Sequence, residues 1–264
     1  MADLIESFDN GVLEIVFNRP QRKNALSGEM LTMLNAALQR AALDPKVRCV
    51  LLSGAEGSFC VGGDVKGFAA GGGAGGGLPM DQRAASLRNS MEASRLLHEM
   101  PKPCIAAIEG AAAGAGLSLA MACDIRICGE SAKITTAFAK IGLSGDFGGT
   151  YFLSQLVGPA KARELYLLSP VLSGKEAAAM NIVSRAVPDA DVMKEARALA
   201  RNMADGPTVT YGLIKKNFIA AEAGALKAAF DAEALHHSLA SATDDHKEAS
   251  KAFVEKRKPA FAGR

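Results

Sequence analysis

The chain has 264 residues, 49% of them hydrophobic, and its 30 basic against 28 acidic residues leave a formal charge of +2. That length holds one large domain or two small ones around a substantial core. No charge block exceeds the mixed C-terminal stretch "EKRKPAFAGR", so nothing in the charge pattern demands nucleic acid.

The opening "LIESFDNGVLEIVFNRP" sets two short runs of alternating apolar residues around Asp9-Asn10-Gly11, a hairpin signal because Asn-Gly tolerates the positive φ of tight turns. After Ser27, a good N-cap, Met30, Met33, Leu34, Leu38 and Ala41 recur at helical spacing and predict a helix to about Leu43. "VRCVLLSG" predicts a buried strand, and "GAEGSFCVGGDVKGF" leads from it through Gly62 and Gly63 into a short helix expected to begin at Asp64. Six glycines in residues 71–77 predict a mobile surface loop, or second to that a lid. Without a G-K-[ST] ending that run is no P-loop. Residues 81–100 read as helix broken by "PKP", "CIAAIEG" and "DIRICGE" as strands, and the stretches from Gly174 onward as helix after helix. Strands thus dominate the first half and helices the last third, an α/β core with a helical C-terminal annex and no visible internal repeat.

The five cysteines (Cys49, Cys60, Cys104, Cys123, Cys128) stand mostly in apolar runs and form no C-x-x-C pair, the pattern of reduced, buried thiols in a cytoplasmic protein. "MADLIESFDNG" lacks the basic and apolar regions of a signal peptide, and no run approaches the ~18 apolar residues of a membrane span. The four histidines, His98, His236, His237 and His246, show no metal-ligand spacing, and no metal site is expected.

Two glycine clusters carry chemistry. In "AAIEGAAAGAGLSLAMACD" a strand passes into a helix through Gly110, Gly114, Ala115 and Gly116, and the unpaired N–H groups of a helix start favour an anion. Gly114-Ala115-Gly116 is followed at the third place by Leu119, and no acid stands about 20 residues on, so the dinucleotide fingerprint is rejected. Close helix–strand packing would also use these small residues. The second turn, at Gly62 and Gly63, tips the balance: two strand-to-helix turns, each offering one N–H, meet the needs of a thioester oxyanion.

These residues resemble the crotonase superfamily, the enoyl-CoA hydratase/isomerase family. "FNRPQRKNALSGEM" is similar to its N-terminal signature, "SFCVGGDVKGF" and "AAIEGAAAGAGLSLAMACDIRICGE" to its two oxyanion segments, "IGLSGDFGGTYFLSQLVG" to the segment after the catalytic region, and "FVEKRKPAFAGR" to its C-terminal helix. The resemblance spans nearly the whole chain, with its motifs in the family's order. It implies an α/β fold, a spiral of ββα turns over residues 1–200 that binds acyl-CoA, and a helical C-terminal region over 201–264 that builds a homotrimer or a dimer of trimers. It also implies an acyl-CoA thioester as substrate, with no cofactor beyond the coenzyme A that the substrate carries. The oxyanion N–H groups fall on Gly63 and Ala115. Asn24, Ala25, Leu26, Gly63, Asp64, Val65 and Lys66 would line the path of adenine and pantetheine, with Arg22, Lys23, Lys66 or Lys258 near the phosphates.

One departure from the family matters most. Hydratases of the family carry two glutamates, and the matching positions here are Ser118 and Phe138, both kept as substrate-lining residues. Asp146, in "GLSGDFGGT", is the replacement: relatives with an aspartate at this place include isomerases and acyl-CoA hydrolases. Desolvation by Phe138, Leu143 and Phe147 would raise its pKa and suit it to shuttle protons, while the competing reading makes it the cap of a helix starting near Gly148. Asp64 is expected to serve structure, as a cap or a partner of Lys66. Ser118 lacks the G-x-S-x-G elbow, which excludes a serine triad. With one carboxylate, Δ3 to Δ2 enoyl-CoA isomerisation is the economical chemistry. Hydration with a water placed by Asp146 and Ser118 is the alternative, and thioester hydrolysis or a catalytically lost CoA-thioester binding subunit comes third.

Overall fold

The computed structural model describes residues 2–64, 79–224 and 226–264. The glycine-rich run at 71–77, Val65, Lys66 and the helix expected after Asp64 lie outside the described residues.

Strands β1 (Leu4–Asp9) and β2 (Val12–Phe17) form an antiparallel hairpin, with Asn10 and Gly11 at φ values of 46° and 86°. Helix α1 (Gly28–Leu43) begins where the Met30 N–H donates to Ser27 Oγ at 3.0 Å. There follow β3 (Cys49–Gly54), α2 (Met80–Ser90), α3 (Glu92–Glu99), β4 (Cys104–Ile108), β5 (Ala111–Ala113), α4 (Ala115–Ala122), β6 (Ile125–Gly129) and β7 (Lys133–Thr135). The chain continues through α5 (Gly149–Val157), α6 (Pro159–Leu168), α7 (Gly174–Ala179), β8 (Arg185–Val187), α8 (Val192–Ala204), α9 (Thr208–Glu222), α10 (Leu226–Ser241) and α11 (Asp244–Val254).

The large sheet has the order β1-β2-β3-β4-β6-β8 and is parallel from β2 onward. A second sheet pairs β5 with β7, isolated bridges at Cys60–Ala112 and Ile134–Leu172 extend it, and a further bridge joins Leu26 to Gly63. The turns β4-β5-α4 and β6-β7-α5 each set a strand in the large sheet, a short strand in the second, and then a helix. This is the expected spiral of ββα turns. One expectation is corrected: the stretch after Gly174 is not helical throughout, because Arg185–Val187 pairs with β6 as the last strand of the large sheet.

Both faces of the large sheet are covered, which is why its central strands read as continuous apolar runs. Alternate residues of β4 point to opposite sides: Cys104, Ala106 and Ile108 join the main core under α1, α3 and α4, whereas Ile105 and Ala107 meet Val192, Ala196, Ala200 and Ala204 of α8. Helix α9 is fastened by Lys215, whose buried ammonium donates to the carbonyls of Leu97 and Lys102 and to Asp124 Oδ2 at 3.1, 3.0 and 2.8 Å. Among the described residues no helix is long and apolar enough to cross a membrane.

Candidate active site

The two glycine turns meet in space. Gly62, at φ 85°, lies so close to the start of α4 that a Cβ there would stand 2.9 Å from the Ala113 carbonyl oxygen and 3.2 Å from the Ala115 nitrogen. The bridge to Leu26 employs the Gly62 carbonyl, accepting from Leu26 N at 2.8 Å, and leaves the neighbouring Gly63 N–H out of the pairing. Ala115 opens α4, whose first internal bond runs from Ser118 N to the Gly114 carbonyl, so its own N–H has no helical acceptor. Among the described residues neither the Gly63 nor the Ala115 N–H has a hydrogen-bond acceptor. Gly116 completes the approach: a Cβ there would be 2.2 Å from the Cys60 carbonyl oxygen, so only glycine lets α4 seat against that segment.

Asp146 rides on a loop held in left-handed conformations, with Gly145 at φ 116°, Phe147 at 51° and Gly148 at 74°. A non-glycine residue held there stores strain, a feature that gathers at functional sites. Its carboxylate does not cap α5. The N-cap position is Gly148, with no side-chain cap bond, and it is the Asp146 main-chain carbonyl that accepts from Gly149 N at 3.1 Å. Oδ1 is buried without a hydrogen-bond partner, and desolvation pushes the carboxyl up to about 6. Phe138 and Phe147 are buried, as expected of desolvating neighbours, but Leu143 is 47% exposed in the single chain.

A residue that sequence reasoning missed completes the cluster. Tyr166, on α6, stacks its ring on Phe138 at 5.8 Å between centroids and 8° between planes. Phe138 in turn lies beside Gly114, where an added Cβ would meet its ring at 3.8 Å. The Tyr166 ring also packs on Gly145, next to Asp146. Its hydroxyl and that of Ser118 converge on Gly149: a Cβ there would stand 2.2 Å from Tyr166 Oη and 2.3 Å from Ser118 Oγ. Burial pushes the Tyr166 phenol up to about 12, with Ser118 opposing the shift and the Asp146 charge adding to it. Ser118 is fully buried and donates to the Gly114 carbonyl at 3.3 Å. The structure thus gathers Gly63, Ala115, Ser118, Phe138 and Asp146 around the head of α4.

The other expected residues sit further out along the same turns. Asn24 is fully buried at φ 56°; its side chain accepts from Arg19 N at 2.8 Å and donates to the carbonyls of Ala55 and Ser58 at 3.0 and 2.6 Å, bracing the loop from inside. Ala25 and Leu26 are buried beside it. Asp64 lies 3.5 Å from the Arg19 guanidinium and 4.0 Å from that of Arg22. Cys60 is no nucleophile, since burial pushes its thiol up to about 12. A groove of about 760 Å³ between α3, α5 and α9 includes none of the clustered groups. Its polar lining is internally spent: Glu222 Oε2 holds His98 Nε2 and the Tyr151 hydroxyl, both at 2.9 Å, and Asp124 holds Lys215. No group of three or more His, Cys, Asp or Glu side chains is placed to hold a metal ion among the described residues.

The family model described as enoyl-CoA hydratase/isomerase matches residues 7–264. The chain belongs to the enoyl-CoA hydratase/isomerase family. It is 36% identical over 269 residues, the whole length of both chains, to the 1,2-epoxyphenylacetyl-CoA isomerase of Escherichia coli K12. It is 38% identical to a Rhodobacter capsulatus protein named "Probable enoyl-CoA hydratase", across 96% of this chain and 95% of that one. The crystal structure of an enoyl-CoA hydratase from Bacillus anthracis superposes with a TM-score of 0.91 at 28% identity, over 99% of this chain and 100% of that one. The fold is the crotonase fold of this enoyl-CoA hydratase/isomerase family, and the protein is an acyl-CoA enzyme.

Proposed function

We propose that this member of the family is a Δ3 to Δ2 enoyl-CoA isomerase in which Asp146 shuttles the proton. The thioester oxygen of a 3-enoyl-CoA rests between the N–H groups of Gly63 and Ala115, which makes the C2 proton acidic. The Asp146 carboxylate takes that proton, the electrons pass into a dienolate whose oxygen the two N–H groups hold, and the new carboxylic acid returns the proton to C4. The double bond moves from C3–C4 to C2–C3 and no atom is gained or lost. Adenine and pantetheine follow the loop at Asn24 to Leu26 and Gly63 to Asp64, with the exposed Arg22 and Lys23 near the phosphates.

The observation that carries this reading is the state of Asp146: half-buried, with Oδ1 buried and unpaired, free of any capping duty, and pushed by desolvation up to about 6, where a group can both accept and return a proton. Phe138 and Ser118 supply no second carboxylate. The test is incubation with a panel of 2-enoyl and 3-enoyl CoA thioesters in deuterated water. Isomerisation gives 2-enoyl-CoA from 3-enoyl-CoA with no 3-hydroxyacyl product; hydration or CoA release as the fast reaction overturns it. A second reading, hydration of 2-enoyl-CoA, draws support from the Ser118 and Tyr166 hydroxyls beside Asp146, which suit an ordered water.

A further inference from the structure

Tyr166 touches both halves of the site. On one side its ring lies against Gly145, where an added Cβ would stand 3.0 Å from a ring carbon, and its hydroxyl lies against Gly149, where one would stand 2.2 Å from Oη. Those glycines stand on either side of Asp146 in the turn that leads into α5. On the other side the ring stacks on Phe138, which lies beside Gly114, and the hydroxyl meets Ser118, whose Oγ donates to the Gly114 carbonyl. The Gly114 carbonyl and the Ala115 N–H belong to one planar peptide unit, so whatever holds that carbonyl also aims that N–H.

The acid has little else to hold it. Oδ1 is buried without a partner, and no side chain anchors the carboxylate among the described residues. Residues 139–144, which lead up to it, are exposed, and Gly145 stands at φ 116°, in backbone space that glycine explores freely. Phe147, buried in the core, pins one flank of the acid, and the Tyr166 ring is the surface under the other. We infer that Tyr166 is a positioning residue, its ring a wedge between α4 and the 145–149 turn that sets the distance from the acid to the Ala115 N–H and keeps water off the acid. The inference rests on the proposed function for what the carboxylate does, though not for how it is held. It also accounts for glycine at 145 and 149, since a side chain at either would run into this ring or its hydroxyl.

Tyr166→Leu removes the ring and Tyr166→Phe keeps it; Tyr166→Met takes the place of the leucine variant should circular dichroism show that one unfolded. In Tyr166→Leu, kcat for isomerisation of a 3-enoyl-CoA is expected to fall about tenfold or more with KM within about twofold, because small displacements of reacting groups are that costly. The pH midpoint of kcat, near 6 in wild type, is expected to move down toward the ordinary carboxylate range as water reaches Asp146, a shift that a general loss of stability does not produce. Tyr166→Phe is expected to keep the parental midpoint and a kcat within about threefold. A second measurement needs no turnover. Asp146→Asn is expected to raise the melting temperature at pH 7.5 in the wild-type and Tyr166→Phe backgrounds and to lose that gain in the Tyr166→Leu background, where the carboxylate is hydrated. A gain lost only when the ring is lost supports the inference. A gain of equal size in all three backgrounds, or in none, overturns it, as does a Tyr166→Phe variant that behaves like Tyr166→Leu. Full activity in Asp146→Asn would end the proton shuttle and leave this inference to be decided by the melting cycle alone.

Discussion

Gly62 and Ala115 belong to different ββα turns, yet the Gly62 Cα faces the Ala115 amide so closely that one added methyl would stand 3.2 Å from its nitrogen. The same methyl would be 2.9 Å from the Ala113 carbonyl, and φ 85° is a conformation that side chains avoid. Gly62→Ala must therefore push the two turns apart or twist its own backbone, at a cost of about 1–3 kcal/mol. A folded variant with turnover reduced about tenfold or more is expected, since donors aimed at an oxyanion tolerate little displacement. Steady-state kinetics beside a melting curve check it; parental turnover would mean that the spacing of these turns does not matter to the reaction.

Ala115→Pro removes one N–H at the position of α4 where a proline ring is best tolerated, the first helical residue. The expected result is a folded protein whose turnover falls by about 100-fold or more. Unchanged turnover in a variant with a native circular dichroism spectrum would move the oxyanion hole elsewhere.

The local turns around the candidate site are written in residue chemistry. Asn10-Gly11 and Ser27 act locally, so their turn and cap follow from residue chemistry, and the glycines at 114 and 116 mark a strand-to-helix turn by composition. The spiral repeat was hidden because its second strands are three residues long, as at Ala111–Ala113 and Lys133–Thr135, or shrink to one bridge such as Cys60–Ala112. Such short pieces have no period to detect. Strand β8 is lost for the same reason between helices. Tyr166 was silent because it sits in the ordinary helical sequence "PAKARELYLL", beside the exposed Leu167 and Leu168; only the packing of α6 turns its ring toward Phe138. The cap reading of Asp146 fell to a detail no sequence states, the left-handed Gly148 that takes the N-cap place.

The pH dependence of isomerisation should report Asp146. A base must be ionised to accept the proton, and desolvation has raised this carboxyl from 3.8 to about 6. Activity is therefore expected to be level above neutrality and to fall about tenfold per pH unit well below 6, where an ordinary carboxylate would still be ionised. A kcat profile that stays flat to pH 4.5 would remove Asp146 as the base.

The C-terminal helices predict assembly. Ile214, Phe218, Leu226 and Phe230 are 44%, 65%, 72% and 60% exposed in the single chain, more apolar surface than isolated side chains explain. Sedimentation at micromolar concentration is expected to give the mass of three or six chains. A monomer mass would contradict it.

Asp146→Asn separates catalysis from architecture. The variant cannot accept the proton, so turnover is expected to fall about 100-fold or more while acyl-CoA binding stays near the parental value. Its stability moves the other way. A carboxyl that titrates near 6 in the folded chain and near its ordinary value unfolded binds its proton more tightly when folded, so its charge opposes folding. The penalty is absent below about pH 4, where both states are protonated, grows through the interval up to about 6, and is constant above it, at roughly 2–3 kcal/mol. Asparagine carries no such charge, so Asp146→Asn should melt a few degrees above the parent at pH 7.5 and lose that advantage as the pH falls toward 4. An aspartate serving as a helix cap would give another pattern, because asparagine caps nearly as well and both activity and stability would hardly change. Melting curves across that pH range, read beside turnover, decide the matter: full activity ends the shuttle, and a variant less stable than its parent at pH 7.5 ends the account of a desolvated, unpaired carboxylate.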